Sequence, residues 1–220
     1  MITLQADHGR WPYWQILNKP GSTLVAILLT VGQSAVADDW FFTAEIIKEP
    51  TTDRFSVCFD HTCRTIVTRS FSPGEWQRIT ALLQAPAPTA AAERTTIANT
   101  IALMEQIVGD KTDTASDRGG NLAGFGQQGQ MDCIDESTNA TTYLKLLQQD
   151  GLLRHHVVQD RVTRFGLSAG MPHTTAVIED VAARRQYAVD SWFFDNGEPP
   201  VVMQLDEWKS GWRPVENSHE

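Results

Sequence analysis

The chain has 220 residues, 41% of them hydrophobic, with 15 glycines and 10 prolines, a composition that excludes collagen-like, coiled-coil and generically disordered classes. At this length folding buries roughly 70% of the extended-chain surface, so neither a metal nor a disulfide is required to hold a core together. The formal charge is −9, with 27 acidic against 18 basic residues, and the basic ones are scattered, which leaves no electrostatic footprint for nucleic acid.

In chain order, the first composition shift is Leu24–Val31, eight residues with one hydroxyl and no charge, followed by Gly32-Gln-Ser and Ala35-Val36-Ala37. The pattern reads as the hydrophobic segment and A-x-A cleavage site of a signal peptide, with Arg10 and Lys19 in a long positive leader. The run is short for a bilayer span, and a buried β-strand has the same appearance. Residues 1–37 are therefore expected to be a signal peptide or N-terminal anchor, and 38–220 a single domain. Export to the periplasm or medium follows, with membrane contact only through an uncleaved N-terminal segment.

Within the domain, 38–84 forms a β-hairpin and helix subregion and 90–220 the remaining core. Trp40–Lys48 is rich in β-formers and predicts a strand. Cys58-Phe-Asp-His-Thr-Cys63, flanked by β-forming runs, predicts two strands joined by a tight turn. A Cys58–Cys63 disulfide across that turn suits an oxidising compartment, and a zinc clip using Cys58, His61 and Cys63 is the alternative. If the disulfide forms, Cys133 is left as the unpaired thiol. Ser72-Pro-Gly-Glu75 is a capping box with proline at the first helical position and predicts a helix to about Leu83. From Ala90, the spacing of Ile97, Ile101, Met104 and Val108 predicts a second helix that Gly109 terminates. Residues 110–131 are polar and glycine-rich without periodicity, and no phosphate-binding or dinucleotide pattern is present.

Next, Met131-Asp-Cys-Ile-Asp runs into a helical pattern that Asp150-Gly151 stops, which puts Cys133 at or just before a helix N-terminus. Strands are expected at Arg154–Gln159, Val162–Leu167, His173–Glu179, Gln186–Trp192 and Val201–Leu205, with Asp206 capping a last turn. Helices followed by an antiparallel sheet define an α+β class.

A cysteine at a first helical turn is favoured as thiolate by exposed backbone N–H groups and the helix dipole. Asp132, Asp135 and Glu136 act against that where their charges face the sulfur, and a buried, inert cysteine is the plain alternative. Two other residues give Cys133 a chemical context. His173 opens one predicted strand and Asp190 closes the next, so pairing of the strands brings a carboxylate to the imidazole. Thiol, imidazole and carboxylate are the parts of a nucleophile, base and orienter. His155 and His156 are rival bases without a following carboxylate placed like Asp190. Trp192 reads as core, or as a shield over the pair.

Gly129-Gln-Met-Asp-Cys133 opening a helix, Pro172-His173 opening a strand and Tyr187-Ala-Val-Asp190-Ser-Trp on the next resemble the Cys, His and Asp blocks of the transglutaminase-like, papain-related superfamily. Bacterial transglutaminase-like cysteine proteinases are the nearest in pattern, over about residues 125–195. The resemblance implies a papain/transglutaminase-like α+β fold with Cys133 as nucleophile, His173 as general base and Asp190 as orienter. It further implies an acyl-transfer hydrolase, a peptidase or amidase, on a protein or peptide. Transamidation by the same triad and an inactive binding domain are the alternatives. It offers Gln127 as an oxyanion donor, in competition with Gln128 and Gln130. No cofactor is required; calcium-binding members use acids flanking the cysteine, which Asp132 and Asp135 match, although Ile134 stands where a carboxylate is common.

Overall fold

The computed structural model describes residues 46–121, 126–165 and 172–214. The signal-peptide reading of 1–37, most of the strand expected at Trp40–Lys48, and the end of the one expected at Val162–Leu167 lie outside the described residues. Of Trp40–Lys48, residues 46–48 are not in a strand.

Phe55–Phe59 (β1) and Thr65–Arg69 (β2) form the expected antiparallel hairpin, in register from Phe55 opposite Arg69 to Phe59 opposite Thr65. Pro73–Ala81 (α1) starts at Ser72 with both halves of the capping box made, the Ser72 side chain accepting from the Glu75 N–H and the Glu75 carboxylate from the Ser72 N–H. Ala90–Thr112 (α2) is capped by the Thr89 hydroxyl. It runs past Gly109 and ends at Asp113, which takes the left-handed conformation (φ 62°) of a helix C-cap. Gly109 serves packing rather than termination. A Cβ there would stand 2.8 Å from the Asn196 side chain and 3.1 Å from the Ala115 Cα.

Cys133–Gln149 (α3) is followed by a four-stranded antiparallel sheet, His156–Phe165 (β3), Pro172–Asp180 (β4), Arg185–Asp190 (β5) and Val201–Gln204 (β6), in that spatial order. Leu205–Lys209 (α4) closes the described chain, with Gln204 at its N-cap and Asp206 inside its first turn rather than capping it. The two strands expected over 154–167 are one strand. Its register slips by one residue between Gln159 and Val162, and at this β-bulge Arg161 turns inward, donating to the Ile134 carbonyl and to the Ser137 and Thr138 hydroxyls on α3. β5 stops at Asp190, two residues early.

Sheet alternation divides the interior in two. Ala176, Ile178, Tyr187 and Val189 join the main core, with Phe55 and Phe71 from the hairpin region, Ile97, Ile101 and Met104 from α2, and Tyr143, Leu144 and Leu147 from α3. On the opposite face Val177 and Ala188 pack with Leu205 and Trp208 of α4. The architecture is α+β, as the order of elements implied.

Candidate active site

Cys133 is the first residue of α3. Asp132 is the N-cap, its Oδ1 accepting from the N–H groups of Ile134 (2.9 Å) and Asp135 (3.0 Å), while the Asp135 carboxylate returns to the Asp132 N–H in a capping box. Neither of these cap bonds of Asp132 uses the Cys133 N–H.

The β1–β2 turn grips the same helix end. Asp60, His61, Thr62 and Cys63 all have positive φ, from 52° to 66°, a left-handed turn of four non-glycine residues that costs roughly 1–2 kcal/mol per residue. Its N–H groups offset that cost by pointing at α3: His61 and Cys63 donate to Asp135 (2.8 and 2.6 Å) and Thr62 to Asp132 (2.9 Å). Cys58 and Cys63 sit at disulfide distance across the turn, with Cα atoms 4.8 Å apart. Asn139 on α3 completes the grip, pairing through its side-chain amide with both the N–H and the carbonyl of Cys58.

This arrangement bears on both metal expectations. Every oxygen of Asp132 and Asp135 faces at least one backbone N–H, so the pair is a helix cap with its acceptors engaged and does not suit calcium. The two sulfurs and one Asp135 oxygen lie within 4.8 Å of one another, but sulfurs bonded to each other are not the thiolates that zinc takes.

His173 and Asp190 lie on the face of the sheet that α4 covers. β4 and β5 pair through Ala176 opposite Val189, so Asp190 falls opposite Thr175 and diagonal to His173 on the same face. The His173 Nε2 is 2.7 Å from Asp190 Oδ2, with the histidine side chain 10% exposed and the carboxylate 1%. A bond with so little water around it fixes the imidazole. Asp190 takes Nε2, which leaves Nδ1 for another partner.

Cys133 comes near the sheet at the neighbouring residue, where the Thr174 backbone N–H favours the ionised sulfur. The thiol is partly buried. Burial pushes its pKa up to about 12, and Asp132, Asp190 and Asp135 add to the rise against the Thr174 N–H. The helix dipole and N–H groups that would favour a thiolate are outweighed, first by burial and then by the carboxylates, two of which cap this helix. At neutral pH the resting sulfur carries its proton.

Aromatic rings surround the histidine, with centroids of Trp192 at 4.9 Å, Phe193 at 5.1 Å and Trp208 at 5.4 Å. Trp192 thus stands over the pair, half-buried, rather than in the core. The glycine-rich stretch before α3 is tied to the same segment. Gly119 fits under Phe193 and Phe194, where a Cβ would come within 2.5 Å of the Phe194 backbone and 2.6 Å of that of Phe193, and the Gly120 N–H donates to the Trp192 carbonyl at 2.6 Å. Gln127 lies exposed in that stretch, its carbonyl accepting from the Gln130 N–H at 3.4 Å. Gln130 is buried and structural, bonded to Ser116, Arg118 and Asn121.

Two features of the site lie outside any local sequence pattern. Trp208 donates its indole N–H to Asp190 Oδ2 at 2.7 Å, which no local pattern announces. His156, considered without a carboxylate, has one in Glu93 on α2, 2.7 Å from its Nδ1 and fully buried; Glu93 also accepts the N–H groups of Arg154 and His155. That bond anchors α2 to the start of β3.

No family model, curated protein or solved structure matches this chain.

Proposed function

We propose that the chain is a thiol hydrolase of papain/transglutaminase-like fold, a peptidase or amidase, with Cys133 as nucleophile, His173 as general base and Asp190 as orienter. One observation carries the reading: a buried 2.7 Å His173–Asp190 bond, with the Cys133 sulfur close enough to feel both the N–H of the next residue, Thr174, and the Asp190 charge. The resemblance of the three short sequence blocks around these residues supports it.

Because the resting sulfur is protonated, His173 acts at the moment of attack rather than through a standing ion pair. The S–H proton passes to the imidazole as the sulfur bonds to the carbonyl carbon and the π electrons move onto oxygen. Collapse expels the amine, which takes that proton. Water, deprotonated by the same imidazole, then cleaves the thioester; an amine in its place gives transamidation. The Cys133 N–H serves the oxyanion, with Gln127 the proposed second donor. Catalysis in this scheme draws on no cofactor. The substrate is a protein or peptide in the periplasm or medium, consistent with the Cys58–Cys63 pair and the leader-like segment ending at Ala37.

The test is alkylation. Iodoacetamide is expected to label Cys133, and His173→Ala to slow labelling at least about tenfold; equal rates would refute the base. A thiol-directed acyl probe should map to Cys133, and exported chain should begin at Asp38. A second reading, a catalytically silent domain whose groove binds a protein or cell-wall peptide, is favoured by the upward-shifted thiol. Under it the probe leaves Cys133 unmodified.

A further inference from the structure

Asp190 Oδ2 has two donors. His173 Nε2 and the Trp208 indole Nε1 each lie 2.7 Å from that one oxygen, and the Trp192 backbone N–H reaches Oδ1 at 3.3 Å. Trp208 is fully buried, and its ring lies against the imidazole at 34° between planes. The Arg164 guanidinium sits 4.3 Å from the centre of the same indole and donates to the carbonyls of Trp208 and Trp212. Arg164 itself stands opposite His173 in the β3–β4 register.

We propose that Trp208, held by Arg164, is a positioning residue that fixes Asp190 and thereby the tautomer of His173. This rests on the reading of His173 as the base for Cys133. A carboxylate with one donor can rotate and offer either oxygen. With indole and imidazole on Oδ2 and a backbone N–H on Oδ1, it is pinned. The choice of an indole is informative, because its N–H donates and never accepts; it cannot reverse roles as a hydroxyl can. The pinned oxygen keeps the imidazole proton on Nε2 and leaves Nδ1 bare to receive the thiol proton. Sequence gives no hint of this, since Trp208 arrives 18 residues after Asp190 on a five-residue helix.

Trp208→Phe keeps a ring and deletes the donor. It is expected to slow iodoacetamide labelling of Cys133 about tenfold through misorientation of the base. The ring nitrogen resonances of His173 should move from the pattern of a single Nε2–H tautomer toward the average of two. Packing loss alone would leave that tautomer signature in place. A folded variant with the parent rate and tautomer overturns the proposal. Arg164→Lys, which keeps charge but loses the fork, covers the case in which Trp208→Phe does not fold: a smaller change in the same direction is expected, and an unchanged tautomer refutes the unit. His173→Ala separates the two ideas. If it labels at the parent rate the base assignment fails; if it is slow while Trp208→Phe is not, only the role of Trp208 fails.

Discussion

Cys133 illustrates how a single side chain can sit in a favourable backbone setting and an unfavourable charge setting at once. The first turn of α3 offers N–H groups, yet Asp132 and Asp135 have claimed most of that electropositive character as caps, and burial takes the thiol to about 12. The consequence is a distinctive pH profile. Labelling of Cys133 by a neutral alkylating agent should climb continuously from pH 6 to pH 10, as it does for a thiol that must be deprotonated. A cysteine already paired with imidazolium would give a plateau through neutrality. A plateau measured by mass spectrometry would mean that the sulfur is ionised at rest. His156 makes the converse point: 0% exposed beside Glu93, it is a tie between α2 and β3.

At the level of elements, the β1–β2 hairpin and α3 form one unit. The turn between the strands accepts a left-handed backbone at four successive residues because its N–H groups end on the carboxylates of the helix cap. The Cys58–Cys63 pair holds the two ends of that turn together. Closing so short a loop is worth about 2 kcal/mol by chain entropy. Replacing both cysteines by alanine should lower the denaturant midpoint by a corresponding amount. Labelling of Cys133 should change as well, because a turn no longer tied at its ends holds its N–H groups on Asp135 less firmly. If the double variant alters stability and leaves labelling untouched, the turn supports the fold without touching the site. The β3 bulge plays a parallel part, directing Arg161 to the first turn of the same helix.

Across the whole molecule, buried acids set the response to pH. Glu105 and Asp117 are raised by burial to about 7, and Asp135 by burial and the Asp132 charge to about 8; Glu136, buried beside the first two, is raised well above 4.5. Glu136 and Asp117 share a hydrogen bond, and the second Glu136 oxygen has no partner. A carboxyl that stays protonated in the fold and ionises in the unfolded chain stabilises the fold below its ordinary pKa. That contribution is lost as pH rises through the folded value. Glu93 works in the other direction: the upward push of burial is outweighed by His156 and two N–H groups, so its contribution is lost on acidification. Thermal stability should therefore peak near pH 5 and fall between pH 5 and pH 8. Glu136→Gln should flatten that fall and raise the melting temperature at pH 8; an unchanged slope in calorimetry would show that this cluster does not govern it. No helix among the described residues is long and apolar enough to cross a membrane.

What the residues alone determine is local. The Ser72–Glu75 capping box, the hydrophobic period of α2 and the Cys58–Cys63 turn each follow from interactions within a few positions, and each element is found where its pattern lies. The α+β class followed from their order. Boundaries erred where a distant partner overrode a local signal: Gly109 sits inside α2 because Asn196 and Ala115 leave no room for a side chain, and β3 continues through its bulge because α3 gives Arg161 a place to bond. His173 beside Asp190 was legible, since two adjacent strands of known pairing leave few diagonals. Trp208 on Asp190, Glu93 on His156 and the carboxylates that raise the Cys133 pKa were not. Burial and through-space charge depend on which surfaces meet, and only the packed chain decides that.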